Sequence, residues 1–238
     1  MALSAFWDQV LVDLEELAGP LREVPAPASA FMAVEGVYQG RPVRAVWHGR
    51  ATSGQSRGSS LHLAIPVGDR AIRSYVLRRK NSTIFGPTAT TGDAAFDEEY
   101  VASARPLDVV SSALDGDVRA MIRRRWPNRD TSLGVADGWS TLVAATSTPG
   151  RDGAPTPPTR AELKAALDDL ALFTDRLVST YDVARASIVR TEGEASALAW
   201  EQRWREDAAR AATKGRLLAV AIILVVLAIA AAVVYLVI

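Results

Sequence analysis

MAVEGVYQGRPVRAVWHG, residues 32–49, alternates apolar and polar side chains on either side of Gln39-Gly40. A period of two sends successive side chains to opposite faces of a strand, and a tight glycine-containing turn joins antiparallel neighbours. The stretch therefore predicts a β-hairpin. LHLAIPV (61–67) and AIRSYVLRR (71–79), joined by Gly68-Asp69, read as a second hairpin on the same grounds. TSLGVADGWSTLVAAT (131–146) supplies a third, because Asp137-Gly138 is the residue pair that a type I′ turn favours. These segments predict an α+β domain over residues 31–146, built on an antiparallel sheet of about 5–6 strands.

Helical spacing surrounds the strand pattern. Phe6, Trp7, Val10, Leu11, Leu14 and Leu17 recur at intervals of three and four within an N-terminal amphipathic helix (1–23), with Ser4 placed to cap it and Gly19-Pro20 to end it. Its polar face lacks the Lys/Arg of a membrane-surface helix. Asp108 is placed to cap a helix over 109–114, and 117–126 puts Val118, Met121 and Ile122 on one face. The ten polar residues ATSGQSRGSS (51–60) read as a recognition loop.

STPGRDGAPTPP (147–158) has four prolines, two glycines and nothing to bury, so it reads as a linker. Thr159 and Glu162 then have the spacing of a capping box. Beyond them Leu163, Leu167, Leu170, Thr174, Leu177, Tyr181, Ala184 and Ile188 follow a 4-3 spacing within a helical region (159–216), serving either as a packing face or as a stalk seam that would join copies of the chain. Glu192-Gly193-Glu194 is placed to break that helix.

The final 22 residues, Leu217 to Ile238, carry no charge. As a helix they would reach about 33 Å, against a hydrocarbon core of roughly 30 Å. Lys214 and Arg216 precede them, and the positive-inside rule then puts the remainder on the cytoplasmic side. The expectation is a tail-anchored, single-pass protein of the bacterial inner membrane, its N-terminal domain cytoplasmic and a transmembrane helix at 217–238.

Composition excludes several chemistries. The chain has no cysteine, so it has no disulfide framework and no thiolate metal site. Its 27 basic and 27 acidic side chains balance, which excludes polycationic binding by the whole chain. The distribution is uneven, however. Arg41, Arg44, Arg50, Arg57, Arg70, Arg73, Arg78, Arg79 and Lys80 crowd residues 41–80 against one acid, Asp69, and Arg119, Arg123, Arg124, Arg125 and Arg129 follow. Such a face either pairs with the acidic stretches 8–23 and 93–99 or meets anionic lipid headgroups. Aromatic residues interleaved for base stacking are few, which disfavours nucleic acid.

No phosphate-binding loop, dinucleotide glycine pattern, serine elbow or zinc-protease motif occurs, and no cofactor or catalytic residue is assigned. His48 and His62 flank the polar loop and could approach across a hairpin, with Asp69 or Asp97 as a further metal ligand. Asp93, Asp97, Glu98 and Glu99 are the carboxylates that an unrecognised enzyme site would use. The favoured expectation is a domain that binds a protein partner or anionic lipid as a scaffold, with a membrane-tethered enzyme and a homo-oligomer through 163–188 as alternatives.

Three segments carry a family resemblance. GVYQGRPV (36–43), TGDAAFDEEYV (91–101) and PLDVVSSALDGDVRAMI (106–122), followed by Asp137-Gly138-Trp139, resemble a widespread group of bacterial membrane-associated proteins in which no activity is established. Asp108 is preceded by Leu107 where that pattern has Asp-Pro, and Tyr100 stands where it has phenylalanine. The resemblance implies a shared fold and a membrane association, and transfers no catalytic residue.

Overall fold

The computed structural model describes residues 2–27, 30–50, 57–78, 87–126, 133–147, 157–207, 209–210 and 213. The chain divides into one unit over Met1–Ser187 and a second over Ile188–Ile238. Of the second, the described part is the end of a long helix, a glycine break at Gly193 (φ 92°) and a helical run at 194–207.

The first unit opens with α1 (Ala2–Ala18) and the strands β1 (Arg22–Val24), β2 (Ala30–Tyr38), β3 (Arg41–Arg50), β4 (Arg57–Pro66), β5 (Arg73–Arg78) and β6 (Thr88–Ala89). Then come α2 (Ala94–Glu99), β7 (Tyr100–Arg105), α3 (Leu107–Ala113), α4 (Gly116–Arg125), β8 (Leu133–Ala136), β9 (Trp139–Ser147) and α5 (Arg160–Glu192). The strands form one antiparallel sheet of nine, in the order β1-β2-β3-β4-β9-β8-β5-β7-β6.

The expectation of five or six strands is thereby corrected. β1 and β6 are three and two residues long, too short to show a period, and β7 reads YVASAR with small residues on both sides. The second expected hairpin is corrected as well. β4 pairs with β3 and β9, and β5 pairs with β7 and β8, so the β8–β9 hairpin lies between them. Gly68 (φ 69°) turns the chain away from its expected partner, and Val67 N donates instead to Gly138 O. The other two turns have φ > 0 at both central residues, 51° and 78° at Gln39-Gly40 and 52° and 80° at Asp137-Gly138, the backbone twist that hairpins favour.

The transmembrane expectation is corrected too. Among the described residues no helix is long and apolar enough to cross a membrane. The longest, α5, has length enough but carries arginines and aspartates along its outer faces. Residues 217–238, Lys214 and Arg216 lie outside the described residues, as do 51–56 of the expected loop and most of the 147–158 linker. Arg57 to Ser60, expected as loop, begin β4 because they pair with β3 and β9.

Two helix starts also shift. Asp108 stands in the first turn of α3, whose cap is Pro106; Asp115 caps α4, its carboxylate accepting from Val118 N at 3.0 Å. Ser4 lies inside α1, which begins at Ala2.

The core follows from register. Val34, Ala45, Leu63, Leu142, Leu133, Val76, Ala102 and Ala89 align across eight strands, and none is more than 7% exposed. The helices cover this side. A Cβ on Gly36, two residues from Val34, would meet Leu21 and Ala18 at the end of α1, and Tyr38 on the same side reaches α5. Tyr100 on β7 donates to Trp126 O at 3.1 Å, just past α4.

The 163–181 stripe of α5 is buried in the unit itself, where each fully buried leucine contributes roughly 1.5–3 kcal/mol. Thr174, the polar residue in that stripe, donates to Leu170 O at 2.7 Å and so leaves no orphan hydroxyl. Thr159 and Glu162 form the reciprocal cap, Thr159 N to Oε2 at 2.7 Å and Glu162 N to Oγ1 at 3.2 Å.

Candidate functional site

Shifting one residue along every strand exposes the other side of the sheet. Arg22, Glu35, Arg44, Ala64, Thr141, Gly134, Tyr75, Ser103 and Thr88 align across all nine strands. The helix contacts at Gly36, Tyr38 and Tyr100 all fall on the opposite side, and within this row Ala64 is buried. Val37 (57% exposed) and Tyr75 (39% exposed) are open apolar side chains on this side. The Tyr75 ring lies over Gly134, where a Cβ would meet its Cδ1 at 2.7 Å and Ser74 O at 2.8 Å. Glycine is required there by close approach, an aromatic ring covering the bare backbone.

Those residues of the expected basic surface whose side chains are described have partners inside the fold. Glu35 accepts from Arg22 Nη2 at 2.9 Å and from Arg44 Nε at 2.8 Å, and the Arg44 guanidinium also stacks 4.4 Å from the Trp139 ring centre. The hydrogen bond from Arg44, then that from Arg22, hold the Glu35 carboxyl below its ordinary pKa. Arg41 bonds Asp175 at 2.6 Å, and Arg70 grips Asp182 with two bonds of 2.8 and 2.7 Å. Arg73 lies on β5 and also has an interaction within the fold. Arg50, Arg57 and Arg78 are strand residues whose side chains lie outside the described set, and Arg79, Lys80 and Arg129 lie outside it altogether.

The second arginine cluster has the same fate. Asp93 caps α2 by accepting from Phe96 N at 3.0 Å and pairs with Arg119 at 3.3 Å and Arg123 at 3.4 Å. The Phe96 N–H chiefly, with Arg123 and Arg119 adding to it against some desolvation, lowers the Asp93 pKa. Arg124 and Arg125 converge on the buried Asp169 of α5 at 2.5 and 2.9 Å, and Arg176 returns to Asp115 and Asp117 at 2.8 and 3.0 Å. The T-G-D-x-x-F-D segment is a structural device. Thr91 donates N–H and hydroxyl to Asp97, while Phe96 and Tyr100 stack at 4.8 Å.

The histidines do meet. His48 on β3 and His62 on β4 have ring centres 4.4 Å apart, on the side of the Ala64 row, with Ser60 Oγ 2.9 Å from His62 Nε2. Burial, then the charge of His48, pushes His62 down to about 4, so it is neutral near pH 7 and a weak base. Among the described residues no group of three His, Cys, Asp or Glu could hold a metal ion, so neither Asp69 nor Asp97 completes a set with the pair.

Sequence reading missed three features. Glu35 faces Arg44 because pairing counted outward from the Gln39-Gly40 turn sets Tyr38 against Arg41, a signal available in the sequence. Asp168, Asp175 and Asp182 are spaced by seven beside the apolar stripe. They bind Tyr38 (2.7 Å), Arg41 and Arg70, fixing α5 against the β2–β3 turn and the β4–β5 connection. Ser60 beside His62 gave no signal, since it lay in a stretch read as loop.

No family model matches the chain, and no curated protein matches it. A solved structure similar to it is the crystal structure of the mycobacterial trehalose monomycolate transport factor A, TtfA, at 15% identity and a TM-score of 0.39, covering 62% of this chain and 72% of that chain. A likeness of that size carries no argument about activity.

Proposed function

We propose that the first unit is a non-catalytic binding module whose sheet face bearing Val37 and Tyr75 receives a protein partner. The observation that carries this reading is the contrast between the two rows: the sheet buries one side on eight of its strands and leaves Val37 and Tyr75 open on the other. The composition of that side favours protein over lipid or nucleic acid. Arg44 is neutralised by Glu35 and stacked on Trp139, which leaves a mixed polar and aromatic surface of the kind that protein interfaces use. An anionic bilayer would instead require unpaired cations near its surface, and among the described residues Arg22 and Arg44 on this side both pair with Glu35.

The test is site-specific photo-cross-linking in cells, with the probe at Val37 and, as control, at the exposed Val12 on α1. The expected result is an adduct of one defined mass at position 37, absent at position 12 and lost when Tyr75→Glu is added. Equal labelling at both positions, or an adduct indifferent to Tyr75→Glu, would overturn the assignment.

A further inference from the structure

The sheet brings together two side chains that the binding role does not use, and they carry an inference independent of it. His48 and His62 project from adjacent antiparallel strands onto one side of the sheet, one diagonal step apart: His48 pairs with Ser60, and Val46 with His62. Their ring centres are 4.4 Å apart with planes inclined at 57°. When metal–nitrogen bonds are about 2.0–2.1 Å, two imidazoles bound cis to one ion have ring centres roughly 4.5–5 Å apart. The backbone register therefore already holds the rings within a few tenths of an ångström of that spacing.

Ser60 adds a second element. Its Oγ lies 2.9 Å from His62 Nε2, a hydrogen bond in which either group can donate; where the hydroxyl accepts, Nδ1 is left as the lone-pair nitrogen of the ring. We infer that His48 and His62 form a two-imidazole site for a borderline divalent transition metal, with water completing the coordination and Ser60 as a positioning residue. A pair of imidazole nitrogens without thiolate or carboxylate suits copper(II) best, and affinity should fall through nickel in the order common to such ligands. Calcium and magnesium, which take oxygen ligands, should not bind.

The composition makes the test clean, because these are the chain's two histidines and it has no cysteine. The full chain is titrated with copper(II), nickel(II) and magnesium by calorimetry, and the copper complex is examined by electron paramagnetic resonance. Expected are one copper per chain with a Kd of micromolar order, nitrogen splitting from two imidazoles, weaker nickel and no magnesium binding. His48→Gln, on the partly exposed β3 position, should weaken copper at least tenfold and reduce the splitting to one imidazole, while Ser60→Ala should weaken it several-fold with both imidazoles retained. Circular dichroism of each variant separates lost binding from lost folding. Copper binding equal in wild type and the His48→Gln, His62→Gln double variant, or a spectrum without two imidazole nitrogens, would overturn the site. Neither result bears on the cross-linking at Val37.

Discussion

One residue of offset separates the two rows that cross the sheet, and they have opposite energetics. The row through Leu63 is apolar on eight strands and packed against helices; the row through Ala64 is polar at most positions and holds its charges in cross-strand pairs. Because the side-chain period of a strand is two, a single alternation creates both surfaces at once. The difference teaches where stability resides and where a ligand can bind: the buried row supplies the core, and the polar row is free of that obligation.

The largest expected effect tests this directly. Leu63→Ala removes a fully buried side chain and should cost about 2–5 kcal/mol, whereas Thr141→Ala in the adjacent row should stay within about 0.5 kcal/mol. Urea midpoints measure both, and equal losses would break the contrast by showing that the polar row is sealed as well.

Carboxylates sharpen the same comparison. Asp169 is buried on the helix side beneath Arg124 and Arg125, so Asp169→Ala should cost about 3 kcal/mol by stranding the largely buried Arg125. Glu35→Ala on the other side should cost only about 1 kcal/mol, since Arg22 is exposed and regains water. A larger loss at Glu35 than at Asp169 would reverse the ranking of the two sides.

The smallest expected effect is on pH. Asp93 and Glu35 are held below their ordinary pKa values in the folded state. Their contributions are therefore complete above the ordinary carboxylate range, near pH 4, and are lost as pH falls through the lower folded values. Stability followed by urea midpoints from pH 6 to pH 2.5 should decline on the acid side, and Asp93→Asn should flatten that decline. An unchanged slope in the variant would remove Asp93 from the account.

How much could be read in advance depended on distance along the chain. The Gln39-Gly40 and Asp137-Gly138 hairpins were legible because turn and strands lie within some twenty residues. The Thr159–Glu162 cap was legible for the same reason, its two partners being three residues apart. The candidate site was only partly legible. The approach of His48 and His62 could be read from the hairpin that joins β3 to β4, but Ser60 was hidden because polar residues become strand when neighbours pair with them.

The sequence by itself determined the antiparallel alternation, the Gln39-Gly40 turn, the type I′ turn at Asp137-Gly138 and the apolar stripe of α5, because each arises from the spacing of near neighbours. Tertiary structure alone decided that β8 and β9 part β4 from β5, and that Asp175 and Asp182 neutralise Arg41 and Arg70 from more than a hundred residues away. The physical reason is that hydrogen-bonding edges and charges are not selective along the chain: any strand edge can accept any other, and any arginine any carboxylate. Their partners are fixed only when burial of the shared apolar row sets every element in place.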